Sequence, residues 1–380
     1  MRLSPKSLAS VLSVGAAACA AWIRLPPAIV ERYYARGFYP RLQGFLTDAS
    51  NRVAVALFDV ATVVAVVLFV GAWVIWIRGA RRQRSLWPIL RGAWWTLTGV
   101  AVIYLWFLQS WGLNYSRPPL ETVMPFEAAR VTPIAVRELA ERAVREANAT
   151  YQAAHDAGFP AIAEVPTPLV DALHQVEKDF GRPRPTLATH PKHSMLSPFF
   201  RASGVSGMLG PFFLETLINP DLTGPERPIV LAHEWAHLAG FAPESDASFV
   251  GYLTALRADP SAQYSAWLGL VSEAGSQLQP VTRDLVLKDL GPGPRADLQA
   301  IDKRLEALVR PVERAAWSTY DRMLKSQGVP EGVQSYSRVI RLLIGTDALA
   351  PHKGVPYETP REGAPYAKGE PPHEWWPATW

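Results

Sequence analysis

Hydrophobic residues follow two regimes along this chain, gathered into three long runs up to residue 113 and periodic after it. Ser7 to Leu25 has no charge until Arg24, Val53 to Ile77 is interrupted only by Asp59, and Ala93 to Leu113 is uncharged and rich in tryptophan. Each run is long enough to cross a hydrocarbon core of about 30 Å as a helix, so three membrane-spanning segments are predicted, at 7–25, 53–77 and 93–113. The first could instead be a cleaved signal peptide, because Ala16 to Ala21 is a run of small residues; a retained anchor is the expectation.

From Asn114 onward the apolar positions recur at helical spacing. Thr132 to Asp156 and Leu169 to Phe180 each carry an apolar stripe opposite charged residues. Further helices are expected over Ala262–Gln277, Val281–Leu290, Arg295–Ser326 with a kink or break at Pro311, and Val333–Ile344. Met208 to Asn219 differs, being rich in residues that suit an extended strand. It reads equally as an exposed edge that pairs with a peptide, with Glu215 and Asn219 near the cleft, or as an ordinary buried hairpin strand. From Pro351 on, Pro, Gly, Trp and charge occur without period. The fold class is therefore mainly α: a membrane anchor over 1–113, an outer domain with a small β element over 114–346, and a flexible Pro-rich tail over 347–380.

Charge sets the expected orientation. Arg78, Arg81, Arg82, Arg84 and Arg91 lie between the second and third runs without an acid, and Arg2 and Lys6 precede the first, which puts both regions in the cytoplasm. Arg32, Arg36, Arg41 and Arg52 after the first run weaken the contrast, although Glu31 and Asp48 are interspersed. Three spans then leave everything after Asn114 outside the cytoplasm of a bacterial cell, in a multi-pass membrane protein. The net charge of +4 comes largely from these flanking arginines and gives no reason to expect nucleic-acid binding. The single cysteine, Cys19, sits in the first run, so the outer domain has no disulfide and no thiolate ligand. Asp59 lies near the end of its run and is expected at the interface.

The chemistry centres on His233-Glu234-Trp235-Ala236-His237. On a helix this spacing stacks two imidazoles one turn apart and projects the acid about 100° round, the H-E-x-x-H arrangement of zinc hydrolases. Chance would produce the pattern on the order of once per hundred chains of this composition, so its setting matters. Pro225, Glu226 and Pro228 mark a helix start and Gly240 a stop, giving a helix from Glu226 to Ala239. The prolines around it bracket too few residues to span a bilayer, which argues against an intramembrane protease. A catalytic zinc usually has three protein ligands and an open position. His233 and His237 need a partner from the next helix, with Glu244 preferred and Asp246 the fallback. Glu234 would be the general base, and Tyr336, Arg338 and His193 are candidate oxyanion donors, Tyr336 first among them. Glu244-x-x-Ala247-Ser248 resembles the E-x-x-A-D element with which several membrane metallopeptidases supply a ligand and a supporting acid, Ser248 standing in the acid's place.

The chain resembles a bacterial family of membrane-anchored zinc metallopeptidases classed as a domain of unknown function. The matching residues are Tyr34, Gly37, Tyr39-Pro40, Lys192, Ser197, Gly207, Pro211-Phe212, Glu215 and Asn219. The match continues through His233, Glu234, His237, Gly240-Phe241, Glu244 and Ala247 to Ser335-Tyr336-Ser337-Arg338 and Leu342-Leu343. At Leu214, Thr216, Leu217, Asp246 and Ser248 the family would show Gly, Ala, Asn, Glu and Asn. The resemblance implies a zincin-like α+β outer domain and zinc-dependent hydrolysis of a protein or peptide substrate. The alternative from another class is a non-catalytic membrane protein that binds a cell-envelope partner and keeps zinc for stability.

Overall fold

The computed structural model describes residues 4–23, 25–306, 308–327, 329 and 338–350. Tyr336 and the tail beyond Ala350 lie outside these residues. The apolar runs form helices Pro5–Trp22, Leu57–Gln83 and Trp87–Ser110. Among the described residues, the latter two are long and apolar enough to cross a bilayer, and the first makes a third candidate when joined to the bent helix that follows it. Pro5–Trp22 packs along Trp87–Ser110, with the Trp94 indole donating to Ser10 Oγ at 3.0 Å. The basic loop expected between the second and third spans shrinks to a tight turn. Arg78, Arg81 and Arg82 extend the second helix and Arg91 lies in the third, because arginine is a good helix former whose long stem lets the charge leave the apolar zone.

The segment between the first two apolar helices is grouped by hydropathy with the anchor, yet it packs into the domain that follows residue 114. Pro27–Asn51 is helical throughout, widening to a π-type stretch over Val30–Phe38. Its polar face is buried. Tyr39 donates to the Leu238 carbonyl at 2.8 Å, Gln43 to Leu187 at 2.8 Å and Thr47 to Leu214 at 3.0 Å, while Glu31 pairs with Arg117 at 2.7 Å. A half-polar face gives no strong apolar signal along the sequence, which is why it reads as a loop. These contacts place residues 27–51 and the domain after residue 114 on one side of the two-helix hairpin.

In the outer domain Pro133–Ala157 packs against Pro260–Ser276, and Arg227–Leu238 against Glu244–Leu256. Trp235, Tyr264, Phe249, Phe180 and Leu173 are fully buried in the shared core. The long helix expected over Arg295–Ser326 is two helices, Pro292–Leu305 and Arg310–Gln327, with Pro311 in the first turn of the second, where its missing N–H costs nothing. The small β element is a hairpin, β1 (Gly207–Gly210) antiparallel to β2 (Glu215–Ile218). The Lys192 backbone closes the far edge of β2, its N–H bonding Thr216 O at 2.9 Å and its carbonyl accepting from Ile218 at 3.1 Å. β2 is thus buried on both sides, and the other strand, β1, lies against the Arg227–Leu238 helix.

Candidate metal centre

The Arg227–Leu238 helix that carries the motif is fixed at both ends. At its start Thr223 and Glu226 form a capping box around one turn of 3₁₀ helix, and Arg304 holds Glu226 at 2.5 Å. At its end Gly240 takes the left-handed conformation (φ 85°), with Gly240 N–H bonding His237 O and Phe241 N–H bonding Ala236 O, the double closure of a Schellman motif. A Cβ at residue 240 would also meet Asn114 Oδ1 at 2.9 Å, so only glycine turns the chain here. The turn delivers Glu244 to the start of the next helix, facing back onto the first.

His233, His237 and Glu244 converge. Their ligand atoms all lie within 4.8 Å of one another. Glu244 Oε2 is 3.1 Å from His233 Nε2 and 3.3 Å from His237 Nε2. A tetrahedral ion with bonds of about 2.0–2.2 Å needs donors roughly 3.3 Å apart, so the three groups fit a divalent cation. The outer faces of the rings support the same orientation. His237 Nδ1 donates to the Phe241 carbonyl at 2.9 Å, which leaves Nε2 as the ring's lone-pair atom, and His233 Nδ1 is 3.2 Å from Ser248 Oγ. Ser248, where the resemblance expects asparagine, thus still holds the first histidine.

Burial draws the His237 imidazole down, but the Glu244 carboxylate, Glu234 and the Phe241 carbonyl carry it up to about 9. Burial also pushes Glu244 up, and the two imidazoles overcome this, holding its carboxyl well below the ordinary range. Glu234 goes the other way. Burial raises its pKa and Glu244 adds to the rise, only partly offset by His233, His237 and the Leu209 N–H. Its Oε2 is buried without a hydrogen-bond partner among the described residues, and a Cβ on Gly207 of β1 would come within 2.8 Å of Oε1. A buried carboxylate oxygen left unbonded costs about 1–3 kcal/mol or more unless something else meets it.

Several expectations need correction. Asp246 is not part of the cluster: its carboxylate accepts from Leu120 N–H at 3.4 Å and Ser245 at 3.3 Å, and burial pushes it up to about 6 against the pull of Arg338 and Arg117. Arg338 pairs with Glu121 at 2.9 Å, and His193 is exposed. Glu215 does not line the cleft. It is buried beneath β2, where it accepts Lys192 Nζ at 3.0 Å and the amides of Leu57 and Phe58 at 3.1 and 2.7 Å, capping the second span. Asn219 binds the Val205 carbonyl and the Asp221 amide. Two tyrosines were missed. The Tyr320 hydroxyl, from Arg310–Gln327, donates to Glu244 Oε1 and also bonds Tyr115, which follows the third span. No local signal marks Tyr320, which lies 76 residues from its partner in an ordinary amphipathic helix.

A family model described as protein of unknown function (DUF3810) matches residues 34–344. The chain belongs to this family. Neither a curated protein nor a solved structure matches it. The match to the DUF3810 model takes in the Pro27–Asn51 helix from Tyr34, the two spans, the metal cluster and the closing helix Arg338–Gly345 up to Ile344. The match therefore covers the helical domain together with the two candidate membrane-spanning helices that interrupt it.

Proposed function

We propose that the chain is a zinc-dependent peptidase of the bacterial cell membrane, anchored by several spans, with a zincin-like domain on the extracytoplasmic side. The observation that carries this reading is the pairing of a three-donor cluster with a buried carboxylate, one oxygen of which has no hydrogen-bond partner among the described residues. His233, His237 and Glu244 would hold the ion, whose chemistry when bound is to lower the pKa of a water towards about 7 and to polarise a carbonyl. Glu234 takes the proton of the attacking water. Its raised pKa suits the second half of the task, returning that proton to the leaving amine. Tyr320 fixes Glu244 by donating its hydroxyl proton to the outer oxygen, Oε1, which leaves Oε2 turned towards the two imidazoles. The orientation rests on the arginines at the cytoplasmic turn and on the placement of residues 27–51 beside the outer domain.

Metal analysis of the full-length protein in detergent tests the site. One equivalent of zinc is expected, lost in Glu244→Ala; a full equivalent in that variant would remove Glu244 from the ligand set. The near-complete burial of the cluster, with Glu234 4 % and Glu244 3 % exposed, favours a second reading in which the zinc is structural and the outer domain binds an envelope partner. Glu234→Gln separates the two, since a structural site has no use for a base.

A further inference from the structure

We propose that the substrate is the membrane-proximal, extended segment of a polypeptide tethered to the same bilayer, cut within about ten residues of its anchor. This deepens the peptidase reading and rests on it. The third span ends at Ser110, and the next residue, Trp111, donates its indole N–H to the carbonyl of the ligand His237 at 3.1 Å, with the two rings 6.1 Å apart. The metal cluster therefore lies about one helical turn beyond the end of a span, on the order of 10 Å from the hydrocarbon.

The hairpin beside the base gives the same height independently. Its turn sits between the mouths of both spans: the Phe212 carbonyl accepts from Trp106, and the Phe212 ring stacks 6.2 Å from Phe58 and 6.2 Å from Phe107. From there the chain leads back into β1, where Leu209, three residues before Phe212, donates its N–H to Glu234. Even fully extended, at about 3.3 Å per residue, that is at most roughly 10 Å, and Pro211 and Phe212 lie in the hairpin turn, which shortens it. Around the same mouth, Val53, Val55 and Met195 are exposed apolar side chains, and Met195 N–H bonds Asp59 in the first turn of the second span at 2.7 Å. Such a rim of exposed apolar side chains at the end of a span belongs in the headgroup layer. A freely diffusing protein would have to bring its scissile bond down to this level past its own bulk. A chain already rooted in the bilayer presents its first residues there.

The test uses the full-length protein in zinc-supplied vesicles with a forty-residue degenerate peptide carrying a lipid at one terminus, the products being mapped by mass spectrometry. Tethering gives every position the same surface concentration, so position alone is read. Cuts concentrated in the ten residues nearest the lipid, at least tenfold over the distal thirty and absent with Glu234→Gln, are the expected result. Cuts spread evenly or favouring the distal end overturn this inference and leave the peptidase reading intact, whereas no cut at any position overturns the peptidase reading and this inference with it. A measurement without turnover checks the height. A bimane at Met195→Cys in a Cys19→Ser background should be quenched by acyl-brominated lipid, and unquenched emission overturns the placement.

Discussion

Two glutamates flank the same β-hairpin, both buried and both beside cationic or cation-forming groups, and they differ in one respect. Glu215 beneath β2 has its oxygens filled by Lys192, Ser50 and the amides of Leu57 and Phe58. Glu234 against β1 has one backbone donor and an oxygen with none. The saturated cluster ties a span to a sheet and has no capacity left for chemistry. The unsaturated one keeps an acceptor free, at a cost in stability that a purely structural site would have no reason to carry. Under the proposed function, the incompletely bonded carboxylate is the one assigned to the chemistry and the saturated one is structural.

Four experiments press on that contrast. Glu215→Ala strands the Lys192 ammonium in the interior, and a loss of about 3–5 kcal/mol is expected, read as a collapse of the thermal unfolding midpoint in detergent. A small shift would mean the two clusters are energetically alike. Glu234→Gln should keep zinc and the midpoint, or raise the latter, while hydrolysis falls by about two to four powers of ten. Ser248→Ala frees one face of His233 and should weaken zinc binding about ten- to a hundredfold in competition with a chelator, without unfolding.

The smallest effect is the pH dependence of zinc binding. With no metal the His237 pKa is raised to about 9, so the proton competes with the ion, and affinity should fall about tenfold per pH unit below that value. The same shift has a defined sign for stability in the metal-free form. A histidine raised above its ordinary 6.5 contributes fully below about pH 6.5 and loses that contribution as pH rises through about 9. Calorimetric titrations at pH 6, 7 and 8 check the first statement, and chelator-treated melts over pH 6 to 10 check the second.

The convergence of His233, His237 and Glu244 was legible in the sequence because helical periodicity is local: four residues bring His233 and His237 together, and Gly240 announces the turn that returns Glu244. The same locality explains what stayed hidden. Tyr320 reaches Glu244 only through the packing of distant helices, and the Pro27–Asn51 helix buries a polar face that no hydropathy pattern distinguishes from a loop. The strand pattern around Glu215 left an exposed edge and a buried hairpin equally open, and the structure gives the second: the amides Glu215 satisfies belong to a helix some 157 residues away. Leu214 shows the reverse. The resemblance expected glycine there, and the backbone carries the reason, a left-handed φ of 51° in the hairpin turn that leucine adopts only under strain.

The interleaving of Pro27–Asn51 with the outer domain bears on how the protein's abundance can be controlled. Clipping the chain just after Ser110 would free a fragment whose interior still needs Tyr39, Gln43, Thr47 and Ser50, all left behind on the other piece. A single cut there thus cannot release a self-sufficient domain: the two pieces share one interior, and the molecule persists or is dismantled as a whole.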